Sequence, residues 1–333
     1  MDATTCEYID RLINIEMRPG SGLPRGVTHQ MYAAAREAQN DQPLTFLAAE
    51  ALIKALSKGD HVLVVTGAGT APWLPKGETD GPMGAAAVAR ALDIGIGAKP
   101  VMISETRNMG PVIGSVEGIG LAIADEADFP KRGGVTVARE MPLGLEAGAT
   151  FVDAIFAEFS PRAIVFVEKG GPGISGNFHS LLGTARDPDD MACAHLLVEE
   201  AKKRGVLTIG VGDGGNEIGY GKIRDAITKI QPHGPKVGTV TETDILISTA
   251  VSNWGGYGIA AALAGLLGNP DVIHSVDDEY RMLDRCIAAG AMDGLLMRVV
   301  PYVDGTSTPV QGAMITMLRE IVTNSLRTIN RDF

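Results

Sequence analysis

Short apolar runs that end in glycine-rich, acidic segments are the feature that most constrains the fold of this chain. Five runs are rich in Val and Ile and nearly continuously apolar, and we predict strands at 61–66, 99–103, 162–167, 206–211 and 244–249. Strands without polar alternation are typical of a sheet covered on both faces. Four of the five run directly into a polar, glycine-rich segment. Because ligands bind beyond the carboxyl ends of parallel strands, we expect these segments to converge on one crevice.

Helical segments separate the predicted strands. We predict them at 82–95, 110–123, 145–159, 188–204, 215–230, 252–268, 277–290 and 308–329. This alternation predicts an α/β fold with a doubly wound, mainly parallel sheet and helices on both faces. The region 124–142 is less regular and predicts an edge strand near 134–139.

The N-terminal region has a different pattern. Amphipathic helices are predicted at 4–18 and 43–58, and the Pro/Gly/Arg segment from Arg18 to Gly26 is predicted as a loop between them. No internal repeat or linker interrupts the chain. We therefore expect one domain over residues 1–333, with the N-terminal helices of residues 1–58 packed on its core.

Composition narrows the class of partner. The net charge of −11 leaves no basic face, so no nucleic-acid partner is expected. The apolar stretch Gly258–Leu267 is too short to span a bilayer, so no membrane partner is expected either. The isolated Cys6, Cys193 and Cys286 predict free thiols in a reducing compartment, and without a secretory signal pattern we expect a cytoplasmic protein. The size is compatible with a homodimer.

The loops after the strands supply carboxylates that could act as catalysts. The catalytic candidates are Asp80, Glu168, Asp213 and Glu217. Closely spaced carboxylates raise one another's pKa and can provide a general acid and a general base. The same kind of oxygen could instead hold Mg²⁺ or Mn²⁺, and Glu78, Asp80 and Asp213 are the candidate ligands. The sequence leaves both readings open, and it indicates no other cofactor.

The same loops carry candidates for substrate binding. Glycine loops at helix N-termini present backbone N–H groups to a carboxylate or phosphate. His179 is the histidine best placed for proton transfer, since it lies in a polar loop. The candidates are Gly67, Glu78, Thr79, Lys169, Asn177, His179, Gly214, Gly215, Asn216, Ser252, Asn253 and Trp254.

Each of these segments also has a purely structural interpretation. Asp80 could cap the helix that follows it. The glycines of 212–217 could serve a strand-to-helix turn. Glu168 could pair with a neighbouring lysine, because a carboxylate that ends an apolar strand is costly unless it has a partner. Residues 252–254 could form another helix cap followed by core packing.

Several common catalytic signatures are missing. The Gly67-x-Gly69 pair is followed by Pro72 where a dinucleotide-binding loop has its third glycine. The chain contains no GxxxxGK[ST], GxSxG or HExxH motif. An NAD enzyme, a P-loop NTPase and a serine hydrolase are therefore disfavoured.

Three motifs resemble the C-terminal domain of the D-glutamate cyclase family. They lie at Glu78–Ala86, Gly210–Gly219 and Val251–Tyr257, and the resemblance extends over roughly residues 5–325. It implies an enzyme that converts D-glutamate to 5-oxo-D-proline and water, and we expect a stand-alone microbial form without the extra N-terminal domain of the mitochondrial vertebrate member. The chain departs from the family pattern after Glu168, where Lys-Gly-Gly follows instead of Arg-x-Gly, and at 177–179, where Asn-Phe-His replaces Tyr-Tyr-Asn.

Three functions remain open at the level of sequence. The first is a lyase that closes an amino dicarboxylate into 5-oxoproline or a related lactam with loss of water. The second is a hydrolase that opens a five-membered cyclic amide such as a lactam or hydantoin, with or without a metal ion. The third is a non-catalytic sensor of a small metabolite. The expected partner is a small polar substrate, either amino-acid-like or a cyclic amide.

Overall fold

The computed structural model describes residues 2–18, 23–125 and 127–328. The helices are α1 Ala3–Ile13, α2 Val27–Glu37, α3 Leu44–Ala55, α4 Pro82–Ile96, α5 Thr106–Gly118, α6 Leu145–Phe159, α7 His195–Arg204, α8 Arg224–Ile230, α9 Gly234–Val237, α10 Ser252–Leu266, α11 Val276–Ala288 and α12 Thr308–Ser325. The strands are β1 His61–Thr66, β2 Lys99–Glu105, β3 Ala122–Ile123, β4 Val135–Met141, β5 Ala163–Val167, β6 Phe178–His179, β7 Ala185–Arg186, β8 Leu207–Gly212, β9 Ile245–Ser248, β10 Tyr302–Val303 and β11 Thr306–Ser307.

Seven strands form one parallel sheet in the order β3-β4-β2-β1-β5-β8-β9. In the centre of the sheet, Leu63 of β1 lies beside Val101 of β2 and Ile164 of β5. From β1 the chain continues to β2 on one side, whereas from β5 it continues to β8 on the other. The carboxyl ends of β1 and β5 therefore flank the point where the winding reverses, which is where such folds bind ligands.

Helices cover both faces of the sheet, so the predicted doubly wound α/β fold is confirmed. Alternate residues of β1 point to opposite faces. Val62 and Val64 belong to a large core with α3, α4, α5 and α10, and α1, α11 and α12 also contribute to this core. Leu63 and Val65 belong to a smaller core with α6 and α7.

The N-terminal helices differ from the prediction. The first helix ends at Ile13 rather than residue 18, because the backbone turns away to bond the end of β9. The Ile13 carbonyl accepts hydrogen bonds from the Ala250 N–H at 3.0 Å and the Thr249 hydroxyl at 2.8 Å. A further helix, α2, follows Gly26 and was not predicted. Of the predicted loop from Arg18 to Gly26, residues 19–22 lie outside the described residues.

Several boundaries within the sheet region also shift. The strand predicted near 134–139 exists as β4, but β3 lies outside it at the edge of the sheet. Helix α5 runs over Thr106–Gly118 instead of 110–123, since residues 122 and 123 pair with β4. Helices α7 and α8 begin later than the predicted residues 188 and 215, because the preceding residues form loops and short 3₁₀ turns. None of the described helices combines the length and apolarity needed to cross a bilayer.

Candidate active site

Asp80 follows β1 and caps a helix from a distant part of the chain. Its carboxylate accepts hydrogen bonds from the N–H groups of Ser252 at 2.9 Å and Asn253 at 2.7 Å, in the first turn of α10. The residue before α10 is Val251, which has no acceptor of its own, so Asp80 supplies the cap. The structural interpretation that Asp80 caps the helix after it is wrong, since Gly81 precedes α4. Burial raises the pKa of Asp80 to about 8.

Asn253 caps α4 in return. Its Oδ1 accepts from the N–H groups of Gly81 at 2.8 Å and Gly84 at 2.7 Å, and its Nδ2 donates to the Thr79 carbonyl at 2.9 Å. The buried Thr79 hydroxyl donates to the Tyr302 carbonyl at 2.8 Å. The side chains of Thr79 and Asn253, both substrate-binding candidates, thus bond within the protein and fix the loop after β1 against α10.

Glu168 follows β5 in a strained backbone conformation. Its φ of 49° lies in the left-handed region, which costs a residue with a Cβ roughly 1 kcal/mol. The carboxylate accepts a hydrogen bond from the Ser252 hydroxyl. Burial and the nearby charges of Glu217 and Asp213 raise the pKa of Glu168 well above its usual range. Burial and the like charges around it therefore favour the protonated form of this carboxyl group.

Asp213 follows β8 and is paired with an arginine from the N-terminal region. Its Oδ2 lies 3.0 Å from Nη1 of Arg18, and the same nitrogen lies 3.0 Å from Oδ2 of Asp304. Burial raises the pKa of Asp213 well above its usual range, and the charge of Arg18 opposes this effect. Arg18 therefore lies at the point where the N-terminal segment, the loop after β8 and the β10–β11 turn meet.

Glu217 organises the loop after β8. Its two carboxylate oxygens accept from the N–H groups of Gly214 at 2.8 Å and Gly215 at 2.7 Å, with a longer bond of 3.3 Å from Asp213. Burial raises its pKa, and these backbone hydrogen bonds act in the opposite direction. Asn216 donates from Nδ2 to the His179 carbonyl at 3.1 Å, while its buried Oδ1 has no partner among the described residues.

Glu78 lies at the rim of the same cluster. Burial raises its pKa well above its usual range, the charges of Asp304 and Asp80 add to this, and Arg186 opposes it. Its backbone is tied to Met292 through a β-bridge. The structure therefore places Glu78 near Asp80, the carboxylate that follows β1.

Lys169 is buried and its ammonium is engaged within the protein. Its Nζ lies 2.5 Å from Oε1 of Glu105 and donates to the Gly67 carbonyl at 3.0 Å. Glu105 also accepts from Nδ2 of Asn108 at 2.9 Å. The lysine next to Glu168 therefore pairs with β2 rather than with Glu168. The ion pair ties the loop after β5 to β2, and the hydrogen bond to Gly67 ties it to the loop after β1.

The remaining candidates lie either at the β6–β7 hairpin or in the hydrophobic core. His179 lies in β6 of the β6–β7 hairpin, and its Nδ1 is buried without a partner among the described residues. Asn177 directly precedes this hairpin and is half-buried. The Trp254 indole is fully buried and donates to Oε1 of Gln311 at 2.8 Å. We therefore correct the prediction for Trp254, which belongs to the core.

Three carboxylates come close enough to act together. One oxygen from each of Asp80, Glu168 and Asp213 lies within 4.8 Å of the others. Such a group can share protons among its members, or it can hold a divalent cation through hard oxygen ligands. Asp80 and Asp213 are also predicted metal ligands. The third member of the group is Glu168, whereas the sequence predicted Glu78 as the third ligand.

The sequence matches the family described as D-glutamate cyclase-like, C-terminal, over residues 26–319. The chain belongs to this D-glutamate cyclase-like family. It is also 36% identical over 104 residues to the mitochondrial D-glutamate cyclase of Homo sapiens. That alignment covers 30% of this chain and 16% of the human protein, so the chain matches only a small part of that relative's length.

Two residues of the site in this D-glutamate cyclase-like domain, Arg18 and Asp304, were not predicted from the sequence. Arg18 begins the predicted N-terminal loop, and no local pattern connects it to the site, because its partners lie 195 and 286 residues away in the chain. Asp304 carried a stronger local signal. It begins an Asp-Gly pair between the short strands β10 and β11, a typical two-residue hairpin turn, and both residues have positive φ, 48° and 72°.

Proposed function

We propose that the chain is a D-glutamate cyclase-like lyase that forms 5-oxoproline or a related lactam from an amino dicarboxylate. The observation that carries the proposal is the group formed by Asp80, Glu168 and Asp213 at the reversal point of the sheet. Membership of the D-glutamate cyclase-like family supports the same reaction.

The raised pKa values of these carboxylates suit a condensation. Ring closure requires a neutral amine as the nucleophile and a protonated oxygen as the leaving group. The pKa of Asp80 is raised to about 8, chiefly by burial, and those of Glu168 and Asp213 are also raised. Because three like charges cannot all persist at this distance, the group holds both protonated and ionised members near neutral pH. It thus provides an acid and a base together.

The proposed step balances within the substrate and this group. An ionised carboxylate, for which Asp213 is suited because Arg18 stabilises its charge, accepts a proton from the substrate ammonium. The amine nitrogen forms a bond to the side-chain carboxyl carbon. Glu168 donates a proton to one oxygen of that carboxyl group, and its carboxylate then takes up the second proton that the nitrogen loses as it becomes an amide. Asp213 returns the proton it accepted to the new hydroxyl group, the C–O bond breaks and water leaves, so both side chains regain their starting protonation. Holding the amine against the carboxyl carbon supplies much of the acceleration, since both groups belong to one molecule.

Glu217 has a supporting role in this proposal. Its carboxylate accepts hydrogen bonds from three backbone N–H groups and so fixes the position of Asp213. We propose that it shapes the loop and raises the pKa of Glu168 through its charge, instead of exchanging a proton with the substrate.

A second function is favoured by one specific observation. The oxygens of Asp80, Glu168 and Asp213 that lie within 4.8 Å of one another could hold Mg²⁺ or Mn²⁺. An ion at this position would activate water, and the favoured reaction would then be hydrolysis of a five-membered cyclic amide.

A proton NMR time course on the purified protein tests both functions. D-glutamate, L-glutamate, 5-oxo-D-proline and a simple hydantoin are offered separately, with Mg²⁺ or Mn²⁺ present and again after EDTA treatment. The cyclase proposal predicts loss of glutamate matched by growth of 5-oxoproline. Ring opening of the lactam or hydantoin without net glutamate loss, abolished by EDTA, would instead establish the hydrolase.

Matched variants connect either activity to the site. Glu168→Gln preserves shape but cannot donate the proton, so turnover should fall by roughly 10²- to 10⁴-fold. Glu146→Gln, on the surface of α6, is the control and should retain full activity. Turnover by Glu168→Gln equal to that of the control would contradict the proposed site.

A further inference from the structure

The acidic crevice needs a cation if it is to bind an anionic substrate, and two of the nearby cations are already neutralised. Arg18 is shared between Asp213 and Asp304. Lys169 is paired with Glu105 and also donates to a backbone carbonyl. Neither side chain is therefore free to balance the charge of a substrate carboxylate.

Arg186 differs from both of these cations. Its side chain is half-buried, yet it has no hydrogen bond or ion pair with any of the residues 2–18, 23–125 and 127–328. Burying a guanidinium without a partner is costly, and bidentate pairing with a carboxylate is the interaction that its planar shape fits best. The guanidinium of Arg186 therefore keeps its hydrogen-bonding N–H groups available for an anion that enters the crevice.

The position of Arg186 is fixed by the hairpin that carries it. Arg186 in β7 pairs with Phe178 in β6, and the Phe178 ring is buried. The hairpin is attached to the loop after β8, because Asn216 donates to the His179 carbonyl at 3.1 Å. Its turn also contacts that loop, since a Cβ on Gly214 would lie 2.4 Å from a methyl group of Leu181. The hairpin thus lies over the segment that contains Asp213.

The electrostatic neighbours of Arg186 include a carboxylate of the acidic cluster. Burial lowers the pKa of the guanidinium, the charge of Glu78 opposes this, and Arg107 adds to it. Glu78 is itself among the carboxylates whose pKa responds to Asp80. The charge of Arg186 therefore acts on a member of the acidic cluster, from the hairpin that lies against the loop after β8.

We propose that Arg186 binds the substrate carboxylate that does not react, and so determines specificity for an acid over its amide. This inference rests on the proposed function, because it assigns one of the two carboxylates of an amino dicarboxylate. A guanidinium stabilises the ionised form of a carboxylate, whereas the condensing carboxyl group must gain a proton to lose water. Arg186 therefore suits the carboxylate beside the amine, and the acidic cluster suits the one that condenses.

The test compares acid and amide ligands in Arg186→Gln and Arg186→Lys. For turnover, D-glutamate is compared with its α-carboxamide. For binding without turnover, 5-oxoproline is compared with 5-oxoprolinamide in NMR titrations. Arg107→Gln is the matched control, because Arg107 lies in the same electrostatic environment but donates to the Asp190 carbonyl at 3.3 Å.

Arg186→Gln should raise KM for the acid and weaken 5-oxoproline binding by roughly 10- to 100-fold, while kcat changes less and the amides are unaffected. Arg186→Lys should recover part of the loss, and Arg107→Gln should behave as wild type. If Arg186→Gln kept the wild-type preference for acid over amide, the role assigned to Arg186 would be overturned, whereas the proposed function would stand. Wild-type protein that neither binds nor converts any of these ligands would overturn the proposed function as well.

Discussion

Gly84 in α4 and Gly256 in α10 bring the first turns of these two helices into backbone contact. A Cβ added to Gly256 would lie 2.5 Å from the Gly84 carbonyl oxygen, and one added to Gly84 would lie 2.6 Å from the Asn253 Cα. No side chain fits between the helices at this point. This contact lets Asp80 and Asn253 reach across and cap each other's helix.

Gly84→Ala should therefore disrupt both caps. The methyl group must push α10 away, at a cost of about 1–3 kcal/mol, and turnover should fall because Ser252 moves away from Glu168. Gly110→Ala is the matched control, since its Cβ would meet only ordinary contacts at 3.7 Å and alanine favours a helix by about 0.5–1 kcal/mol. Urea unfolding and the NMR turnover assay check both variants. Equal stability of the two would show that the close contact is not required.

The pH dependence of stability should reflect the buried Asp80. Its pKa is about 8 in the folded protein, chiefly through burial, against 3.8 as the ordinary value. At pH values between these two pKa values, the folded state binds more protons than the unfolded state. The free energy of unfolding should therefore fall as pH rises from about 4 to about 8. Above about pH 8, Asp80 no longer contributes to the pH dependence of the free energy of unfolding.

Asp80→Asn removes this titration and should make the decline with pH shallower than in wild type. The measurement is urea unfolding at several pH values from 4 to 9. Asp153→Asn is the control, because Asp153 is exposed on α6 and should leave the slope unchanged. If Asp80→Asn and wild type showed parallel curves, the carboxylate could not have a raised pKa in the folded protein.

The sequence predicted the features of this fold that depend on local patterns. Continuous apolar runs identified the central strands, and the glycine-rich segments after them identified Asp80, Glu168 and Asp213 as neighbours at one edge. What it did not predict was the exchange of caps between α4 and α10. Helix caps are predicted from residues that adjoin the helix in sequence, whereas Asp80 lies 172 residues from Ser252, whose N–H group donates to it.

Helix α2 was missed for a related reason. Its buried residues Val27, Met31 and Ala35 have helical spacing, but polar and small residues between them give a weak apolar pattern. The position of Arg18 could not be predicted, because no local sequence pattern indicates the path of the chain after α1. Contacts of Ile13 and Asn14 with the end of β9 direct that segment toward the site.

Replacing Lys169 distinguishes a structural role from a substrate contact. Lys169→Met leaves Glu105 buried without its partner, which should cost about 3–5 kcal/mol of stability. Adding Glu105→Gln should recover much of this loss, because no charge then remains buried. In the double variant, we expect KM for the substrate to stay near the wild-type value. A large increase in KM would instead return Lys169 to the set of substrate-binding residues.

Arg18 should control the protonation of Asp213 as well as the stability of the site. The guanidinium opposes the rise in the pKa of Asp213, so its removal should raise that pKa further. Arg18→Gln should therefore reduce turnover near neutral pH and shift the ascending limb of the pH–rate profile to higher pH, since more alkaline solution is needed to ionise Asp213. Arg25→Gln is the matched control, because Arg25 belongs to the same N-terminal segment but is exposed.

A double-mutant cycle separates the two effects of Arg18. Asp304→Asn removes one of its two partners and leaves the bond to Asp213 in place. If the two changes act on one network, the double variant should lose less stability than the sum of the single variants, by about 0.5–3 kcal/mol. The alkaline shift should follow Arg18→Gln and be absent from Asp304→Asn, since only the former takes the counter-charge away from Asp213. A profile that falls uniformly at all pH values in Arg18→Gln would assign Arg18 to structure alone.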